Sequence, residues 1–372
     1  MIEMKSYISA IGIASPSYKI PQMQIADFMA EATQMNGQEK RKLNALYRST
    51  GIDYRHSVLA DYSKRTGVFE FYSNTPDLEP FPMIEQRMSL YREHALPLCI
   101  QAVKNCLFAY QDFNIKKVTH LITVSCTGMY APGIDIELIE EFDLSTHIKR
   151  TAINFMGCYG AFNALKAADA ICKSDPLAKV LVVCVELCTI HFQKEKTEDH
   201  ILANALFADG AAALIMEPQP RPAYSISIES AYCDLLFDGK TDMAWHIGNF
   251  GFEMRLSAYI PDMVKKGIRQ LTDKLLKHLK LSMADIELFA IHPGGKRILE
   301  VIEEQLGMQK EDNRYAYQTL KEYGNMSSTT ILFVLKALWN DLQKADAGKN
   351  ILSCAFGPGL TLESMLLKVN YR

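Results

Sequence analysis

The sequence has no apolar run approaching the ~20 residues that a membrane-crossing helix needs. Its opening stretch, MIEMKSYISAIGIASPSYKI, is interrupted by serines and a proline, which argues against a secretory leader. It predicts a first strand over 7–13 that turns at Pro16. A cytoplasmic protein without membrane association is expected. Charge of one sign is also scarce: 40 basic residues stand against 43 acidic ones, a net charge of -3. That balance gives no general attraction for polyanions, so nucleic acid is not an expected partner. The nine cysteines form no CxxC pair and no His/Cys metal spacing. Cys184 and Cys188 are four apart, but Val185 and Leu187 between them read as core strand. Neither a disulfide framework nor a metal site is expected, and the thiols should be reduced.

What is present is a core. The chain has 372 residues, 48% of them hydrophobic. Short apolar runs predict buried strands over 121–124, 180–184, 211–216, 288–291 and 351–355. Apolar residues at helical spacing predict helices over 85–110, 162–172, 260–279, 296–306 and 328–342. Strands alternating with helices indicate an α/β protein. One composition break, Glu217-Pro218-Gln219-Pro220-Arg221-Pro222, reads as a stiff extended connector. It divides the chain into halves at 1–217 and 218–372. The halves look loosely alike: HLITVSCTG and ELFAIHPGG each run from a strand into a glycine-bearing loop.

Three segments carry reactive side chains. Asn154-Phe155-Met156-Gly157-Cys158-Tyr159-Gly160-Ala161 puts Cys158 in a glycine turn that enters a helix. A helix start, with its free N–H groups, favours a thiolate. A buried structural cysteine is the competing reading, and the cysteines at 99, 106, 172, 184, 233 and 354 keep it, since they lack glycine turns. Ala290-Ile291-His292-Pro293-Gly294-Gly295 places His292 at a strand end. Tyr323-Gly324-Asn325-Met326-Ser327-Ser328 places Asn325 in a small-residue turn, where helix capping is an equal alternative. Together the three residues fit decarboxylative Claisen chemistry. A thiol takes an acyl group; neutral or cationic donors then face an enolate oxygen while a malonyl thioester loses CO2. A carboxylate beside them would repel the malonyl group, and none is expected there.

These motifs resemble the type III polyketide synthases, the chalcone and stilbene synthase family, in a bacterial form. The matching stretches are VSCTGMYAPGID at 124–135, the Cys158 turn, VLVVCVE at 180–186, ALFADGAAALI at 205–215, IHPGG at 291–295, YGNMSS at 323–328 and AFGPGLTLES at 355–364. The resemblance implies a five-layered αβαβα thiolase fold formed by two similar halves. It also implies a homodimer and coenzyme A thioester substrates, with no metal or redox cofactor. Acyl-CoA starter and malonyl-CoA are the implied substrates, with an acyl carrier protein as an alternative donor of the starter. Cys158, His292 and Asn325 match the catalytic triad, Phe207 the gate between tunnel and cavity, and Gly357 and Pro358 the loop at the active-site floor; Ser327 belongs with the cavity.

Several residues depart from the plant pattern. Met254 stands at a second gate position, Trp245 replaces a cavity glycine, and Cys126 and Cys188 replace threonines. His191 falls at a small cavity position, and Ala131 replaces a methionine that reaches the partner's site. The resemblance therefore implies a short or reshaped polyketide of pyrone, resorcinol or naphthol type. Cys126 is a candidate for substrate orientation or redox sensitivity, with a small neutral space-filler as the alternative. For the coenzyme A grip, Lys42, Gly294, Gly295 and Arg297 are the candidates. A ketoacyl synthase III-like single condensation is the rival enzyme reading, and an idle dimer partner the non-enzyme one.

Overall fold

The strands that build the sheet alternate between two apolar environments, and this alternation sets the layers. In the computed structural model, which describes residues 4–221, 223–257 and 259–371, nine strands join in one sheet. Their order is Leu288–Ile291, Asn350–Gly357, Thr361–Tyr371, Tyr224–Leu235, Tyr7–Ala14, Asp209–Glu217, Val180–Leu187, His120–Ser125 and Lys149–Asn154. Along Val180–Leu187, Val180, Val182 and Cys184 face one core, while Leu181, Val183 and Val185 face another. A period of two does this in any strand, and apolar residues on both faces mark a strand covered on both sides. Along Asn350–Gly357 the same split sends Ile351 and Ala355 to the first of these cores and Leu352, Cys354 and Phe356 to a third.

The shared core is central. The helices Gly160–Ser174 and Thr330–Asp341 fill it with Phe162, Leu165, Ile331 and Phe333, between strands of both chain halves. The long helix Ile84–Phe108 covers one outer face through Tyr91, Cys99 and Val103. The helices Ile260–His278 and Lys296–Leu306 cover the other through Val264, Leu271 and Leu299. Helix, sheet, helix, sheet, helix is the expected five-layer order. The two lobes of the sheet meet where Tyr7 and Ile8 pair with Ser227 and Ile226.

The expected strands and helices all appear, with ends shifted by at most a few residues: most strands run longer, and the helices expected over 85–110, 260–279 and 328–342 stop short. Some that were not expected, such as Thr361–Tyr371, are well buried, and others had weak apolar signals. The edge strand Lys149–Asn154 is mostly exposed, and the hairpin Met243–Gly248/Gly251–Leu256 is short. Pro222, the last proline of the expected connector, lies outside the described residues. Just before it, the Arg221 guanidinium donates to the carbonyls of Ser9 and Ala109, both at 2.9 Å. No helix among the described residues is long and apolar enough to cross a membrane.

Candidate active site

Cys158 lies in a one-turn 3-10 segment, Gly157–Tyr159, between the edge strand Lys149–Asn154 and the helix Gly160–Ser174. The turn needs glycine at 157 for two reasons. Its φ is +73°, and an added Cβ would stand 2.4 Å from Cδ of Pro358. Pro358 follows the strand Asn350–Gly357, so the Gly357-Pro358 loop packs directly on the Cys158 turn.

His292 follows the strand Leu288–Ile291, and its backbone N–H donates to the carbonyl of Cys354 at 2.8 Å. A Cβ on Gly294 would stand 2.6 Å from the ring of Phe356, so glycine lets that ring close on the turn. Phe356 meets the His292 imidazole edge-on, with centroids 5.5 Å apart. The imidazole is fully buried, and neither ring nitrogen has a hydrogen-bond partner among the described residues.

Asn325 links the other parts. Its Nδ2 donates to the carbonyl of Gly294 at 3.3 Å, in the His292 turn. Its Oδ1 accepts from the Ser327 N–H at 2.9 Å and the Thr330 hydroxyl at 3.3 Å; these bonds brace the turn, while the caps of the two following helical segments are Met326 and Thr329. Its backbone N–H donates to Leu206, and its carbonyl accepts from Ala208. Phe207, between those two residues, is thereby held beside Asn325.

Burial pushes the Cys158 thiol up to about 12; the Ser327 side chain opposes this, a charge on Glu186 adds to it, and the Asn325 side chain opposes it. Burial alone pushes the His292 imidazole down to about 3. The expectation of a resting thiolate is therefore corrected: loss of hydration outweighs what the helix start contributes. A second expectation also falls, since a carboxyl does stand near the nucleophile. Glu186 accepts from the Cys126 N–H at 3.0 Å, the Thr127 hydroxyl at 2.8 Å and the Ser328 hydroxyl. Burial lifts it to about 7, so that near pH 7 it carries only part of a full charge. A lone glutamate inside the apolar run VLVVCVE was its signal in the sequence.

Cys188, His191, Phe207, Trp245 and Met254 line a single cavity. Trp245 and Met254 face each other across the Met243–Leu256 hairpin. The Trp245 indole N–H donates to the Cys126 carbonyl at 2.7 Å. His191 Nε2 lies 2.6 Å from the Thr127 carbonyl, and its Nδ1 accepts from the Phe252 N–H at 3.0 Å. Its ring stacks on Phe252 at 4.3 Å. Cys126 stands behind this wall, where its sulfur accepts from the Gly157 N–H at 3.0 Å.

Gly294, Gly295 and Arg297 line a surface groove together with Leu46 and Leu206. Lys42 lines a neighbouring pocket that shares Leu46 and Ile201 with it. Because Leu206 belongs to the groove and Phe207 to the inner cavity, this one segment separates the two. Arg297 is exposed, with its guanidinium 3.3 Å from Glu300.

Residues 2–220 match the N-terminal domain model, and residues 227–370 the C-terminal domain model, of the chalcone and stilbene synthases. The chain is 30% identical to the "alpha-pyrone synthesis polyketide synthase-like Pks18" of Mycobacterium tuberculosis over 97% of this chain and 91% of that one. It is also 30% identical to a putative chalcone synthase of Bacillus subtilis, over 97% and 98% of the two chains. Among solved structures, the C-terminal type III polyketide synthase domain of Steely1 from Dictyostelium aligns with a TM-score of 0.89 at 28% identity, covering 98% and 99% of the two chains. PKS-I from the brown alga Ectocarpus siliculosus aligns at 0.91 and 26% identity, covering 99% of both.

Proposed function

Because this chain belongs to the chalcone and stilbene synthase family and is a type III polyketide synthase, an acyltransferase, we propose that Cys158, His292 and Asn325 perform its chemistry in the following roles. Cys158 sulfur attacks the carbonyl of an acyl-CoA starter. A new C–S bond forms, the coenzyme A thiolate leaves, and the thiol proton passes to His292. The imidazole suits this step because it is neutral and both its nitrogens are unpartnered. A lone thiolate is costly in this pocket; a proton moved within the Cys158–His292 pair leaves the pocket with no net charge.

Malonyl-CoA then loses CO2. The electron pair of the broken C–C bond forms an enolate, and its oxygen takes hydrogen bonds from Asn325 Nδ2 and the protonated His292. The enolate carbon attacks the acyl-Cys158 carbonyl. A C–C bond forms, the C–S bond breaks, and the thiolate returns. The chain elongates inside the cavity, where Phe207 gates entry and Trp245, Met254, Cys188 and His191 shape the space. Ser327 and the Gly357-Pro358 loop bound the space around the sulfur. A short pyrone, resorcinol or naphthol-type product fits a cavity narrowed by a tryptophan.

Coenzyme A is the donor in this reading. Lys42 and Arg297 contact its nucleotide end, and Gly294 and Gly295 let the pantetheine arm pass. The reaction asks for no cofactor beyond the thioesters. The enzyme acts as a cytoplasmic homodimer of chains whose halves divide at 217/218. The observation that carries the chemistry is a fully buried imidazole with two unused nitrogens, linked through Asn325 to the pocket of a buried thiol. The test is incubation with malonyl-CoA and a panel of short, long and aromatic acyl-CoA starters, with products read by mass spectrometry. Iteratively extended, cyclised products are expected, and none from Cys158→Ala. A single β-keto thioester would point to a one-step condensing enzyme, and activity only with carrier-bound starters would overturn the donor assignment.

A further inference from the structure

The segment 125–128 runs between the cavity wall and the turn that carries Cys158, and its polar atoms are taken up on both sides. The Cys126 carbonyl accepts from the Trp245 indole at 2.7 Å, and the Thr127 carbonyl lies 2.6 Å from His191 Nε2. The Cys126 N–H and the Thr127 hydroxyl both go to Glu186, and the Tyr91 hydroxyl donates to Ser125 Oγ at 2.7 Å. The Cys126 sulfur accepts the Gly157 N–H at 3.0 Å. Gly157 is the residue before the nucleophile, in a left-handed conformation that Pro358 crowds.

Two hydrogen bonds therefore lead from the indole to the backbone beside Cys158. Trp245 is also fixed in orientation, since its ring meets His191 and Phe252 edge-on at 6.1 and 5.9 Å. The indole N–H of this half-buried ring needs an acceptor, and the Cys126 carbonyl supplies it. Resting on the assignment of Cys158 as nucleophile, we propose that Trp245 is a positioning residue: through Cys126 and Gly157, the side chain that narrows the cavity also fixes the turn that holds the sulfur. Cys126 is then neither a substrate-orienting thiol nor mere filler. It is the acceptor that keeps Gly157 in place. A consequence is that cavity size and nucleophile competence are coupled. A chain that grows until it rotates Trp245 breaks the first bond and loosens the turn, which favours release over further extension.

Trp245→Phe keeps an aromatic ring and removes only the N–H. One such hydrogen bond transmitted to the turn corresponds to a fall in kcat of about tenfold, with KM for malonyl-CoA within about twofold. Alkylation of Cys158 by iodoacetamide in the substrate-free enzyme, read on the Cys158 peptide by mass spectrometry across pH, should slow about fivefold at a fixed pH, since the loosened sulfur loses the Ser327 and Asn325 side chains. Cys126→Ala should do the same, and Cys126→Ser, which retains an acceptor, should recover at least half of the loss. The double variant Trp245→Phe/Cys126→Ala should lose no more than the worse single one, because both break one path.

Wild-type alkylation in Trp245→Phe with altered product length alone would reduce Trp245 to a wall residue and overturn the proposal. Additive losses in the double variant would do the same. If Trp245→Phe does not fold, equal activity of Cys126→Ala and Cys126→Ser overturns it instead. Synthesis that survives complete alkylation of Cys158 would refute the nucleophile itself, an outcome distinct from all of these.

Discussion

His191 and His292 are both buried imidazoles that burial pushes down to about 3, yet they have opposite surroundings. Both nitrogens of His191 are used, one at the Thr127 carbonyl and one at the Phe252 N–H, and its ring is stacked on Phe252. Both nitrogens of His292 are unused. The first arrangement fixes one tautomer and leaves no atom for a substrate. The second is an expense in folding free energy that a bound thioester or enolate can relieve. Burial and a low pKa do not by themselves mark a reacting group; unused valence inside a water-excluding pocket does.

The sharpest way to break this contrast is to remove each ring in turn. His292→Ala should lower product formation by about 10² to 10⁴-fold, the range of a lost general acid–base group. Its thermal midpoint should not fall by the amount expected of a hydrogen-bonded core residue. A large loss of stability with little loss of turnover would reverse the roles. His191→Ala should show the opposite balance. Leaving the Thr127 carbonyl and the Phe252 N–H unpaired costs about 2–4 kcal/mol, measurable by urea unfolding.

Acidification sharpens the comparison further. Each imidazole has a folded pKa near 3, below its ordinary 6.5. The stability that each contributes is therefore present above about 6.5 and is lost as pH falls from there toward 3. His292→Gln should flatten that acid limb in denaturation midpoints, because glutamine has no proton to take up. Glu186 has the opposite sign: its folded pKa is raised from 4.5 to about 7. Its contribution is complete below about 4.5 and lost as pH rises through 7. Glu186→Gln should therefore flatten the loss of thermal midpoint between pH 5 and 8. The smallest effect expected is on product identity. Trp245→Gly removes the same N–H and should slow turnover as Trp245→Phe does; among the products still made, it should lengthen the chain or widen starter use severalfold, and an unchanged product spectrum would count against its cavity role.

Much of the fold was legible because buried strands advertise themselves. The run 288–291 and the helix over 296–306 match the structure to the residue. The edge strand Lys149–Asn154 did not, because exposed strands carry no apolar signal. Cys158, His292 and Asn325 could be singled out from glycine turns and from the family resemblance. What the sequence hid was desolvation. A glycine turn at a helix start suggests a thiolate, but only the surrounding walls reveal how little charge the pocket tolerates. The tie between Cys126 and Gly157 was hidden too, since it joins residues 31 apart in the chain.

The central helical layer carries one more implication. Its apolar contacts come from strands before and after residue 217 alike, and the thiol lies in the first part while the imidazole and the amide lie in the second. Severed polypeptides would each expose a wide greasy face and would each be chemically mute. Brought together, they would have every reason to dock, and regained turnover in a mixture of the two pieces would report that reunion directly.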